Sequence, residues 1–226
     1  MSKEYIRQHE VISQVPSPME VYLMEDFEDA DHWAHLSVGQ GHWERKTKAA
    51  FMGSYGMHLW TRTTSPAIGD IAAIAQYLGT LRSRYVELSL RYFIPTSDTS
   101  EAFEIRFPLL RNGYQADFRI RWNGSTSMWQ YWGTDDAWHN ITAISGDYVP
   151  DRWHQIKLLV DTVDGKFISL DTGAEFADLS SISVKETVAA NGEISARLYI
   201  LVEALAAAVV EVYLDQILIR GVQYKK

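Results

Sequence analysis

The sequence predicts an all-β protein: one two-sheet antiparallel β-sandwich over residues 21–226, preceded by an N-terminal arm over residues 1–20. Three observations predict it. Apolar and polar residues alternate in the segments 85–93, 103–109, 116–122 and 155–159, and a period of two is what sets successive side chains on opposite faces of a strand. The pairs Asn112-Gly113, Asn123-Gly124 and Asp164-Gly165 fall between such runs, where a tight reversal needs residues that tolerate positive φ. Eight Trp and twelve Tyr enrich the chain in side chains that favour strands. A sandwich of 226 residues needs no second domain, and a hydrophobic fraction of 46% supplies its core.

The elements follow in order. Residues 1–20 are polar, lack a period and end in Pro16-Ser17-Pro18, which favours extended backbone. Strands are expected over Val21–Glu28, His42–Lys46 and Met57–Thr64, separated by loops that contain glycine. Ile71–Leu78 fits a helical turn as well as a strand, but Gly69-Asp70 and Gly79 punctuate it and its neighbours are strands, so it is read as a strand. Tyr85–Ile94, Ala102–Leu110, Gln115–Trp122, Ser127–Trp132 and Ile141–Ile144 come next. Trp153–Val160 and Lys166–Leu170 form a hairpin, Asp178–Lys185 reads as a helical turn, and Ile194–Glu203 and Val209–Ile219 close the fold. Trp33, Trp43 and Trp60 lie in or beside strands and are assigned to the core.

The hairpin 152–176, RWHQIKLLVDTVDGKFISLDTGAEF, opens on Trp153-His154 and turns on Asp164-Gly165. It resembles the Trp-His hairpin of the concanavalin A-like superfamily, which includes laminin-G-like and pentraxin-like domains. The resemblance implies a jelly roll and a glycan- or protein-binding role. The chain ends carry a second resemblance. LMEDFED near the start and VYLDQILI near the end are similar to the first and last strands of calcium-stapled carbohydrate-binding modules. That likeness implies that the two strands lie side by side and that Glu25 or Asp26 meets Asp215 around a structural Ca²⁺. Loop carbonyls over Val38–Gly41 would complete a shell of six to eight oxygens. Gln216 departs from the pattern, because many such modules carry a second acid there.

Alternation sorts the faces. In the four segments above, Val86, Phe103, Phe118, Ile156 and their period-two partners face inward, while Glu87, Arg91, Glu104, Arg106, Arg119, Arg121 and Lys157 face outward. If the four strands are neighbours, these charges form one stripe. Cross-strand pairs of opposite charge are ordinary on a solvent face, but three arginines also present planar donor forks that suit sugar hydroxyls and carboxylates. Trp122, Trp129, Tyr131, Trp132 and Trp138 crowd into seventeen residues, too many for one narrow layer to bury. Arg106, Arg119, Arg121, Trp129, Tyr131 and Trp138 are therefore the candidate ligand-binding residues, with the aromatics stacking on sugar.

Other chemistry is bounded by composition. The formal charge of −8 speaks against general nucleic-acid binding, which depends on neutralising phosphates. There is no Cys, which rules out disulfides, thiolate metal sites and Cys nucleophiles. No apolar run is long enough for a membrane span. The N-terminus has no apolar region of a signal peptide, so a cytoplasmic or virion-associated location is expected. Histidines show no zinc spacing, no nucleophile elbow or phosphate loop occurs, and the alternating Glu-x-Asp-x-x-Glu of laminarinase-like relatives is missing. The expected function is a non-catalytic recognition module that binds a glycan or glycoprotein surface. The alternative is a structural protein of an assembly, such as a virion decoration component that self-associates through the arm.

Overall fold

The computed structural model describes residues 20–29, 32–61, 65, 67–95, 101–111, 113–144, 149, 151–188 and 195–223. Apart from Glu20, the expected arm lies outside the described residues. In chain order the strands are β1 (Val21–Glu25), β2 (Ala34–Val38), β3 (Gly41–Lys46), β4 (Gly56–Thr61), β5 (Ile71–Gly79), β6 (Tyr85–Phe93), β7 (Glu101–Arg111), β8 (Tyr114–Asn123), β9 (Met128–Trp132), β10 (Trp138–Asn140), β11 (Trp153–Asp161), β12 (Lys166–Asp171), β13 (Phe176–Asp178), β14 (Lys185–Val188), β15 (Ser195–Ala204) and β16 (Glu211–Val222). They form two antiparallel sheets. The first runs β13-β12-β11-β6-β16-β4-β3, with β1 also on β16; the second runs β10-β9-β8-β7-β15-β5-β2, with β14 on β8.

Period-two alternation meets the structure directly. Phe103, Ile105, Phe107, Phe118, Ile120, Ile156, Leu158 and Val160 are all buried between the sheets. Each such side chain contributes about 1.5–3 kcal/mol by leaving water, and together they hold the two layers in register. Ile71–Leu78 is a strand, paired with β15 and β2. The 153–171 hairpin is present, and Gly165 takes φ 61° in its turn. One oxygen of the Asp161 carboxylate accepts the N–H groups of Val163 and Asp164 while the other takes Arg84, so the turn is tied to the strand before it.

Five readings need correction. Ile141–Ile144 is a turn, closed by the Ile144 N–H on the Ile141 carbonyl; only the Ile141 N–H reaches back to β9, at the Trp129 carbonyl, and both Ile side chains are buried. Asp178–Lys185 is no helix: Asp178 ends β13, its carboxylate accepts the Ser180 N–H, and β14 begins at Lys185. The first strand stops at Glu25 rather than Glu28, because Phe27 adopts φ 59°. Trp33 is core, but Trp43 is 39% exposed and stacks on His35, while Trp60 lies half-buried on the outer face of the first sheet beside His42 and His58. The charged stripe is split, since β6 and β11 belong to the first sheet and β7 and β8 to the second. Glu87, Arg91 and Lys157 therefore face away from Glu104, Arg106, Arg119 and Arg121.

Candidate binding face on the second sheet

The outer face of the second sheet is built by strand register. Glu104 lies opposite Arg121, Arg106 opposite Arg119 and Pro108 opposite Asp117. The ion pairs form along the diagonal instead. Arg119 donates to Glu104 at 2.7 Å through Nε, and Arg106 donates to both oxygens of Asp117 at 2.6–3.0 Å. Glu104 is only 4% exposed although it points outward, so this face is recessed. The next strand adds amides: Arg121 Nε donates to Gln130 Oε1 at 2.7 Å, Asn123 donates to the same oxygen at 3.2 Å, and Gln130 donates on to Asn140 at 2.7 Å.

Aromatic rings close one flank. Trp132 and Trp138 pair across β9 and β10 and pack edge to face at 5.1 Å. The Arg119 guanidinium lies 4.6 Å from the Trp132 ring centroid and 5.1 Å from that of Trp138, and Arg121 lies 4.2 Å from Trp138, within cation–π range. On the other flank β15 contributes Tyr199 and Glu203. A cavity of about 260 Å³ there is lined by Arg106, Arg197, Tyr199 and Ser195, among others.

Burial shifts the charges. It pulls the Arg121 guanidinium below its ordinary range, with Glu104 and Glu203 acting against that and Arg119 adding to it. Burial, and then the nearby Glu104 charge, push the Glu203 carboxyl above its ordinary range. Arg106 is pulled down by burial, but the hydrogen bond and charge of Asp117 outweigh this and hold it higher than usual.

Of the six residues the sequence singles out, this face brings together Arg106, Arg119, Arg121 and Trp138. Trp129 is 2% exposed and packs on Tyr92, Phe103 and Trp122 in the core; it offers no ring to a ligand. Tyr131 is half-buried on the inner side of β9, where its ring packs on Phe167 and stacks on His139. It lines a separate, open cleft at the strand end with Asp135 and Ser183. Trp132, Gln130, Asn123, Asn140, Tyr199 and Glu203 complete the face without having been singled out. The alternation in β9 already sets Gln130 and Trp132 opposite Trp129.

The two chain ends do meet. β1 pairs with β16 from Val21 opposite Arg220 to Glu25 opposite Ile217, and the Asp26 charge is felt at Asp215. The carboxylates there are already ligated by protein donors. Asp215 is fully buried and accepts the N–H groups of Phe51, Met52 and Gln216 at 2.7–3.0 Å. Glu25 accepts from Phe27 N and Trp33 Nε1, and Asp26 from Glu28 N. The carbonyls of Phe27 and Glu28 take the Arg45 guanidinium, which rests on the Tyr55 ring at 3.8 Å. The Val38–Gly41 turn is held by Asp70, which accepts the Gln40 and Ala67 N–H groups. Among the described residues no group of three or more His, Asp or Glu is placed to hold a metal ion.

With backbone N–H groups on Asp215 and the Arg45 guanidinium on the Phe27 and Glu28 carbonyls, a calcium ion here would have to displace protein donors. EDTA is accordingly expected to leave the melting temperature unchanged. Arg45→Met should lower stability by about 1–3 kcal/mol by leaving two carbonyls unpaired. A clear loss of melting temperature in chelator, restored by calcium, would show that a metal displaces these donors.

Two antiparallel sheets with paired terminal strands together define a jelly-roll β-sandwich. No family model matches the chain, and no curated protein matches it by sequence. Solved structures share the fold. The cellulose-induced protein Cip1 is 16% identical with a TM-score of 0.60, over 90% of this chain and 99% of its own. An endo-β-1,4-glucuronan lyase of Trichoderma reesei is 12% identical with a TM-score of 0.59, over 88% and 95%. A carbohydrate esterase of the Shiga toxin-encoding bacteriophage phi24B is 12% identical with a TM-score of 0.61, over 91% and 100%. No helix of the described residues is long and apolar enough to cross a membrane.

Proposed function

We propose that the chain is a non-catalytic recognition domain that binds a glycan on the outer face of its second sheet. One observation carries this reading: two tryptophans lie over two arginines on a recessed, otherwise polar sheet face. Aromatic rings beside fixed hydrogen-bond donors are what a sugar ring needs, an apolar surface for its C–H face and partners for its hydroxyls. A neutral protein partner would favour a larger apolar patch. The glucuronan lyase and the carbohydrate esterase that share the fold are carbohydrate enzymes by name, which agrees with the reading without identifying a ligand. Arg119 and Arg106 neutralise Glu104 and Asp117, so those acids serve the architecture of the face.

The test is a glycan array followed by titration calorimetry. Trp138→Ala and Trp132→Ala are each expected to cost about 1–3 kcal/mol of affinity with the melting temperature nearly intact. A bound polymer should be recovered at its original length. Binding that survives both substitutions would place the ligand elsewhere, and a shortened polymer would make the domain an enzyme.

A further inference from the structure

The charges of the binding face do not balance evenly. Asp117 is matched by Arg106 through three hydrogen bonds, and Glu104 by Arg119 through two. Arg121 is different. Its Nε is held by an uncharged partner, Gln130, which Asn123 and Asn140 fix in turn. No carboxylate among the described residues lies within ion-pair distance of it, in contrast to its two neighbours. Glu203 stands within electrostatic reach of Arg121 without forming an ion pair. The fold thus keeps a half-buried guanidinium that is oriented, roofed by Trp138 at 4.2 Å, and lacking a direct counter-charge. Partial burial of a cation is unfavourable unless an anion joins it.

We propose that the ligand is an acidic polysaccharide, a polymer that contains uronic acid residues, and that Arg121 receives its carboxylate. This rests on the glycan reading above and adds to it the class of sugar. A planar carboxylate accepts two parallel N–H bonds from a guanidinium edge. With Nε committed to Gln130, the two Nη groups are the edge left to the ligand. Trp138 then excludes water from one side of the pair, which strengthens it. A neutral polymer would leave Arg121 without a counter-charge. The net charge of −8 repels a polyanion at long range, so the attraction has to be local, and salt acts weakly on a partly buried pair.

Glu203 gives the arrangement a pH dependence. The charged groups facing it are Glu104 from β7 and Arg119 and Arg121 from β8; Ile71, opposite it on β5, carries no charge. Burial and Glu104 raise its carboxyl above the ordinary range. A neutral Glu203 does not repel an incoming carboxylate, whereas an ionised one does. Affinity for the polyanion should therefore fall as pH rises through that raised value.

The experiment is titration calorimetry of the full chain with polygalacturonate, alginate and glucuronan, and with each polymer after reduction of its carboxyl groups to alcohols. A sulfated glucan serves as a second anion. At least one polyuronate should bind, and its reduced form should not. Arg121→Gln should weaken that binding about ten- to a hundredfold, and Glu203→Gln should strengthen it and flatten its pH dependence. Equal binding of a polyuronate and its reduced form would overturn the carboxylate assignment while leaving the glycan reading intact. Binding only to the sulfated glucan would overturn it in the same way. Polyuronate binding that Arg121→Gln leaves unchanged would remove Arg121 from the role. Should no carbohydrate bind, the glycan reading falls, and this inference with it. If Arg121→Gln does not fold, the carboxyl-reduced polymers decide alone.

Discussion

Trp129→Ala is expected to cost about 3–5 kcal/mol of folding stability, the range for deleting a large aromatic from a packed core. The ring is 2% exposed. Tyr92 meets it edge to face at 6.1 Å, Trp122 at 6.1 Å and Phe103 at 6.4 Å. None of these neighbours is free to collapse into the space, because Phe103 and Trp122 are themselves pinned by the β7–β8 ladder. The cavity term therefore adds to the lost burial. Chemical denaturation is the measurement. A variant that keeps wild-type stability but loses glycan affinity would make Trp129 a ligand platform after all, with Trp132 and Trp138 in the lesser role.

The second large effect is expected at Arg119. Its partner Glu104 has a side chain 5% exposed, while Arg119 itself is 21% exposed. Removing one member of such a pair strands the other's charge away from water, which costs about 3–5 kcal/mol when burial is complete. Partial access at Arg119 places the expected loss for Arg119→Met near the lower end, about 3 kcal/mol. The double variant Arg119→Met with Glu104→Leu should recover most of it, since an apolar pair of similar volume is close to neutral. Denaturation of the wild type, both single variants and the double variant gives the coupling directly. Additive losses would show that the pair is worth little and that Glu104 draws its support from elsewhere.

The sandwich was legible because alternation is a local property. Phe103 to Leu109 or Ala116 to Trp122 show their buried side without any knowledge of the partner strand. The short strands β2, β10, β13 and β14 escaped, because runs of three to five residues cannot display a period. Alternation also fails at the next level. It assigns Arg91 and Arg106 to outward faces but says nothing of which sheet each strand joins, so one stripe was read where there are two faces. The same gap explains the aromatics. Both sides of β9 carry Trp, and only its pairing with β8, which aligns Trp129 with Trp122, turns Trp129 inward and Trp132 outward. The terminal-strand pairing was legible from the end motifs. The guanidinium at that junction was not, because Arg45 is distant in sequence from the carbonyls it binds.

The placement of β16 has a consequence for how this chain acquires its structure. One edge of β16 is shared in succession by β4, along Glu211–Leu214, and β1, along Ile217–Arg220, while β6 takes the other edge. The last strand is thus the central plank of the first sheet. Until it leaves the ribosome, β6 and β4 have no common neighbour and β1 has no place to dock. Assembly of that sheet therefore waits for β16 and is dominated by contacts between strands far apart in sequence, and such topologies fold slowly. In the interval the unpaired edges of β4 and β6 are exposed to other nascent chains, so yield during synthesis should depend on temperature and chaperone supply more than the finished sandwich's own stability would suggest.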